Sequence, residues 1–299
     1  MRVRALTAVL LAGGLALTAC GKEGTGTDTA AAPAGVFEVA KDVKVEGSPT
    51  FDKIKSRGSL VVGVKEDQPG LGFKDPTTNK YTGFDIDMAK LIAAQLGFDP
   101  ASKVEFKTIQ SAAREQAIIN GDIDYYVGTY SITAARKEKV SFAGPYYIAG
   151  QDLLVKKDNS AITGPDTIKD KKVCSVTGAT PAKKLREDKL VQPDTNVVEL
   201  QSYSLCVTKL LDGEIDAVST DDAILKGYAA AEPDKLKVVG KTFSTEKYGI
   251  GLPKDDKALR DKVNEILEKS LSDGKWDDIY KNTLGKSGSE GKHPTLEKY

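Results

Sequence analysis

The sequence predicts an α/β protein of two similar lobes, each a mainly parallel sheet flanked by helices. Short β-rich runs alternate with helical patterns from about residue 51 to residue 284, the order that produces parallel sheets. One supersecondary step also occurs twice. Ile118-Ile-Asn-Gly-Asp-Ile-Asp-Tyr-Tyr-Val127 is echoed by Leu210-Leu-Asp-Gly-Glu-Ile-Asp-Ala-Val218, in each case a helix end, a glycine stop and an apolar strand. Finally, Lys172-Val-Cys-Ser-Val176 opens the second half of the chain much as Leu60 to Val64 opens the first.

Length and composition agree with this class. The 299 residues suffice for one large domain or two middling ones, and 40% hydrophobic with 29% charged residues is ordinary for a globular protein. Lys plus Arg number 43 and Asp plus Glu 43, without basic blocks, which argues against a duplex nucleic-acid binder. The single histidine, His293, stands in a Gly/Ser/Lys-rich stretch. That argues against a Ser-His-Asp or Cys-His mechanism and against a His-rich metal site, and neither a metal nor a cofactor is expected.

Met1-Arg-Val-Arg4 is a short cationic start, and the apolar run from Ala5 to Ala19 is too short for a stable transmembrane helix of about 20 residues. Residues 1–19 therefore read as a secretion signal. Leu17-Thr-Ala-Cys20 followed by Gly21 resembles the lipobox of bacterial lipoproteins, in which the cysteine is lipidated and becomes the new N-terminus; the alternative is an ordinary signal with a chance cysteine. Loss of Arg2 and Arg4 would leave 41 basic against 43 acidic side chains. The other two cysteines, Cys174 and Cys206, are an even number in an exported chain and read as one disulfide, with two buried free thiols as the alternative.

Residues 20–50, poor in apolar periodicity, predict a flexible tether. Ser59 to Val64 reads as a buried strand. Asp85 is placed to cap a helix with Ile86, Ala89, Ile92, Ala93 and Leu96 on one face, and Ser111 to cap a helix that runs to Asn120 and stops at Gly121. The segment from Leu259 to Leu284 is helical, with Leu259, Val263, Ile266, Leu267, Trp276 and Ile279 directed to the core. Residues 286–299 form a polar tail; Lys286 to His293 lacks the spacing and context of a phosphate loop and is expected to be disordered.

Several stretches, in this order, resemble the polar amino-acid group of solute-binding proteins of ABC importers. They are Gly58 to Val64, Tyr81-Thr-Gly-Phe-Asp-Ile-Asp87, Gly121 to Asp124, Ser131-Ile-Thr-Ala-Ala-Arg136, Val140 to Tyr146 and Asp216-Ala-Val-Ser-Thr-Asp221. The resemblance covers about Phe51 to Leu284. It implies a periplasmic-binding-protein-like fold of type II, with residues 51–150 and 244–285 in lobe one, 151–243 in lobe two, and two strand-like hinges between them. It also implies a monomeric, non-catalytic receptor that closes over one amino acid outside the membrane, is held there by its N-terminal lipid, and delivers the ligand to ABC permease subunits.

A zwitterion needs an anion clamp and a cation acceptor. Arg136 offers a planar fork for a carboxylate, the turn at Thr129-Tyr-Ser131 offers amides and the Ser131 hydroxyl, and Gly178-Ala-Thr180 brings further amides from the second lobe. Asp221 is the natural partner for the ammonium, with Asp222 left to helix capping. These assignments match the family's positions, except that Ala179 departs from the threonine usual there.

Where neutral-ligand members usually place an aromatic residue this chain has Ser111, and Lys65 and Arg114 stand where acidic amino-acid binders have basic contacts. The expectation is L-glutamate, with L-aspartate next and glutamine behind. The alternatives are a surface Lys65, an Arg114 paired with Glu115 or Asp87, and, at the level of function, a dehydratase-like enzyme on the same scaffold.

Overall fold

The computed structural model describes residues 36–287 and 291–299. The signal at 1–19, the lipidation at Cys20 and the tether as far as residue 35 lie outside the described residues.

The strands, in chain order, are β1 (Leu60–Val64), β2 (Asp67–Gln68), β3 (Gly72–Lys74), β4 (Tyr81–Thr82), β5 (Val104–Thr108), β6 (Tyr125–Tyr126), β7 (Ser141–Ala149), β8 (Gln151–Lys156), β9 (Val173–Val176), β10 (Val197–Leu200), β11 (Ala217–Asp221), β12 (Leu236–Val238) and β13 (Glu246–Leu252). The helices are α1 (Pro49–Arg57), α2 (Phe84–Gln95), α3 (Arg114–Ile119), α4 (Ala134–Lys137), α5 (Thr180–Glu187), α6 (Tyr203–Asp212), α7 (Asp222–Ala231), α8 (Lys257–Ser272) and α9 (Lys275–Asn282).

Two five-stranded sheets form the two lobes, in the orders β5-β1-β6-β13-β7 and β10-β9-β11-β8-β12. In each, the first three strands are parallel, the fourth runs against them, and the fifth pairs antiparallel to the fourth. The reversed strand is the one that has just crossed from the other lobe: β8 follows β7 after Gly150 alone, and β13 brings the chain back. The repeated helix-to-strand step leads into β6 and β11, which hold the same position in their sheets.

The two crossings run side by side. A Cβ on Gly150 would lie 2.8 Å from the Ser244 carbonyl oxygen and from Thr242 Cβ, so the missing side chain permits the contact. The Gln151 amide donates to Ser244 Oγ at 2.9 Å, and the Phe243 amide donates to the Gln151 carbonyl at 2.9 Å. Behind the first sheet an aromatic cluster of Phe84, Tyr146, Trp276 and Tyr280 fills the space under α2 and α9. Cys174 on β9 and Cys206 on α6 are joined in a disulfide, their Cα atoms 5.6 Å apart.

Local details depart from the sequence expectations where long-range contacts take over a capping side chain. Asp85 lies inside α2, whose N-cap is Gly83, and its buried carboxylate serves other elements. Ser111 opens a 3-10 turn before α3 and its hydroxyl is taken by Lys65. Asp222 is drawn to the first crossing, where it accepts from the Gly150 amide at 3.0 Å. The last helical segment is two helices separated at Gly274, whose φ of 81° ends the first.

Residues 36–50 are attached to the first lobe, in contrast to a free tether. Val36 and Val45 are buried, the Ala40 amide donates to the Ala94 carbonyl, and Ser48 both caps α1 and bonds Asp256. Residues 291–299 also lie on that lobe: His293 packs on Trp276, the Glu297 amide donates to the Gly144 carbonyl, and the Phe142 amide donates to the Tyr299 hydroxyl. No helix among the described residues is long and apolar enough to cross a membrane.

Candidate functional site

The candidate residues come from the carboxyl ends of parallel strands, where α/β sheets leave a crevice. Lys65 follows β1, Ser111 and Arg114 lie beyond β5, Thr129 and Ser131 beyond β6, Gly178 to Thr180 beyond β9, and Asp221 ends β11. The two lobes present these ends to one another.

On the first lobe, Thr129 adopts a φ of 44°, a costly conformation for a β-branched residue. Asp85 holds it there, accepting from the Thr129 amide at 3.0 Å and from the Tyr146 hydroxyl at 2.7 Å. Burial pushes the Asp85 carboxyl up to about 6. The next residues pair with β13, the Ile132 amide donating to the Lys247 carbonyl and the Gly249 amide to the Tyr130 carbonyl, which sets Ser131 against Tyr248.

Thr133 caps α4 and so fixes Arg136, whose Nη1 donates to the Ser131 carbonyl at 2.8 Å. The guanidinium carbons of Arg114 and Arg136 lie 4.2 and 4.9 Å from the centre of the Tyr130 ring, so one aromatic ring serves both cations. Arg136 Nε pairs with Glu115 at 3.4 Å. Arg114 is 2% exposed and Lys65 5%, and among the described residues neither has a carboxylate at salt-bridge distance.

Lys65 donates to Ser111 Oγ at 2.7 Å and to the Ile109 carbonyl at 3.3 Å. Burial, followed by the Arg114 charge, pushes its ammonium down to about 7. Burial, and again Arg114, brings Arg136 down to about 10.

The second lobe answers with the carbonyl of Gly178, which accepts from Arg114 Nη2 at 3.1 Å and from Arg136 Nη2 at 3.0 Å. Ala179 is the N-cap of α5 and contributes no side-chain hydrogen bond. Thr180 Oγ1 lies 3.3 Å from Ser131 Oγ and donates to Glu246 at 3.0 Å. Asp221 accepts from the Tyr248 hydroxyl through Oδ2 and is unpartnered at Oδ1. Burial, then repulsion from Glu246, raises its carboxyl to about 7.

Ser111, Arg114, Thr129, Arg136, Ala179, Thr180 and Asp221 line one cavity of about 10 Å³, together with Pro181, Tyr203 and Ile224; that is room for about one water. Beside it a groove of about 610 Å³ opens between Thr133 to Arg136 on one lobe and Gly178 to Thr180 on the other. Lys65 and Ser131 stand one contact behind the cavity wall, through Ser111 and Thr180 respectively.

Residues 60–286 match the bacterial extracellular solute-binding proteins, family 3. This chain belongs to that family. It is 35% identical to the glutamate-binding protein GluB of Corynebacterium efficiens, over 95% of this chain and 91% of that one. It is 36% identical to the ABC transporter glutamine-binding protein GlnH of Bacillus subtilis, over 97% and 99%. Among solved structures, an ancestral arginine-binding protein bound to glutamine superposes with a TM-score of 0.70 at 38% identity, covering 77% of this chain and 99% of that one.

Three participants in the family 3 protein's cleft were not legible as site residues: Tyr130 supplies the shared aromatic ring, and Glu246 and Tyr248 approach from the returning strand. Gly178 was expected to offer its amide, and it is the carbonyl that engages both arginines. Tyr130 had a usable signal, since it lies between two selected positions, Thr129 and Ser131. Glu246 and Tyr248 had none, because only the tertiary path of β13 brings them to Thr180 and Asp221.

Proposed function

We propose that this chain is an extracytoplasmic receptor that captures L-glutamate between its lobes and delivers it to an ABC permease, held at the membrane by a lipid on Cys20. The observation that carries the ligand assignment is a pair of buried cations, Lys65 and Arg114, with no carboxylate partner among the described residues. A buried unpaired charge costs several kcal/mol, and a ligand with a side-chain carboxylate offsets that cost. Arg136 and the Gly178 to Thr180 turn then take the α-carboxylate, with Thr129 and Ser131 beside them, and the open Oδ1 of Asp221 takes the ammonium. A cationic ligand would meet Lys65 and Arg114 as like charges. The cavity admits no amino acid at its present size, so uptake requires the lobes to part, with the crossings at Gly150 and at residues 242–247 as the hinge.

Glutamine is the second reading, because a Lys65 ammonium lowered to about 7 is half neutral at that pH and suits an amide. Calorimetric titration of unfolded and refolded protein with glutamate, aspartate, glutamine and arginine separates the two. Glutamate binding at micromolar strength or tighter, about −8 kcal/mol, is expected, with a loss in Lys65→Ala and Arg114→Ala that is larger for glutamate than for glutamine. Preference for glutamine or arginine overturns the acidic pocket. Recovery of unchanged glutamate after denaturation separates a receptor from an enzyme on this scaffold.

A further inference from the structure

The cleft is closed at a second place, away from the cavity. β2 of the first lobe reaches the first turn of α6 in the second, where Asp67 Oδ2 accepts from the Tyr203 amide at 2.8 Å and from the Ser204 amide at 3.3 Å. These are orphan donors of a helix N-terminus, and a carboxylate there also meets the positive end of the helix dipole. α6 has no acidic residue in its own first turn; its cap, Ser202, serves the Leu205 amide instead. The anion is therefore supplied from the opposite lobe. The Tyr228 hydroxyl on α7 donates to the Asp67 carbonyl, and Gly227 beside it presses on the next turn, since a Cβ there would lie 2.2 Å from the Pro69 carbonyl oxygen. Asp67 is absent from the wall of the cavity.

We infer that Asp67 is a positioning residue: a latch between the lobes that sets how tightly they close on any ligand. The inference rests on the receptor reading, because closure matters only if the cleft holds something. When the lobes part, Asp67 returns to water and the first turn of α6 loses its acceptor. The contact therefore counts entirely toward the closed form and slows release more than it changes capture.

The test uses the full chain and two variants that attack the contact from opposite sides. Asp67→Ala removes the acceptor, whereas Gly227→Ala keeps it and wedges the surfaces apart. Ala is the better helix former inside α7, so Gly227→Ala does not weaken the helix itself. Calorimetry and stopped-flow with glutamate and glutamine are combined with the distance between spin labels, one on each lobe. Asp67→Ala is expected to weaken both ligands, by roughly ten- to a hundredfold, through faster release. Gly227→Ala is expected to do likewise, and both variants should shift the label distances toward separation.

Affinities within about twofold of the parent in both variants overturn the latch. So does a change in the glutamate-to-glutamine ratio in Gly227→Ala, which keeps the Asp67 charge near Lys65, as large as its change in affinity; that would make this contact part of ligand selection. If the parent binds neither amino acid, the proposed ligand assignment falls, and the label distances alone decide: an unchanged distribution in Asp67→Ala overturns the latch and a shift toward separation supports it.

Discussion

Tyr248 and Asp221 meet across the cleft: the phenol on the returning strand donates to the carboxylate that ends β11 at 2.6 Å, and both side chains are buried. The bond pulls the Asp221 carboxyl back toward ionisation against burial and Glu246. It also leaves Oδ1 as the open acceptor. Tyr248→Phe removes the bond without removing the ring. Glutamate affinity at pH 7 should fall by roughly tenfold, the worth of a hydrogen bond to a charged group, and fall further at pH 6, as read by calorimetry.

The pH dependence has two limbs. Asp221, raised to about 7, must be ionised to hold an ammonium, so below that pH binding has to expel a proton and affinity falls as pH drops. Lys65, lowered to about 7, must be protonated to hold a carboxylate, so above that pH binding has to take up a proton and affinity falls as pH rises. Glutamate affinity should therefore be bell-shaped and highest near pH 7. Lys65→Arg, permanently charged, should abolish the alkaline limb while the acid limb persists. A flat profile between pH 6 and 8 would remove these two groups from the site.

Gly178 is a second point of close approach between the lobes, beside the cavity. Its φ is 80°, and a Cβ would lie 2.7 Å from Ala112 Cα on the other lobe. Gly178→Ala should cost about 1–2 kcal/mol in local backbone strain and, more tellingly, hold the lobes apart. Small-angle scattering with saturating glutamate should show compaction in the parent protein and little in the variant.

The disulfide closes a loop with a sequence separation of 32 between Cys174 and Cys206. On the chain-entropy model it stabilises the fold by about 3–4 kcal/mol. The Cys174→Ala, Cys206→Ala double variant should lower the urea midpoint accordingly, and because the bond ties β9 to the helix that receives Asp67, glutamate affinity should fall with it.

Local periodicity made most of the fold legible, because glycine stops and apolar runs are consequences of short-range chemistry. The two lobes followed from Ile118 to Val127 and Leu210 to Val218, each leading into the third strand of its sheet. Polar side chains near helix starts were harder. Asp85 and Ser111 have the composition of caps, yet Thr129, Tyr146 and Lys65 engage them from 44 to 61 positions away in the chain. The same limit hid Glu246 and Tyr248. It also hid the attachment of the C-terminal residues, since the docking of His293 on Trp276 depends on a surface that exists only after α9 has packed.

The reversed fourth strand has a consequence for the order in which the molecule is built. β7 pairs within its sheet only with β13, so its nine largely buried residues have no strand partner until residue 252 has been made. The second lobe, by contrast, draws all its strands from Gln151 to Val238. A chain emerging N-terminus first can finish its inserted half while the earlier half still waits with an open edge. During that interval β7 is the segment most exposed to mispairing with another copy, and a shielding chaperone would protect the nascent chain by covering it.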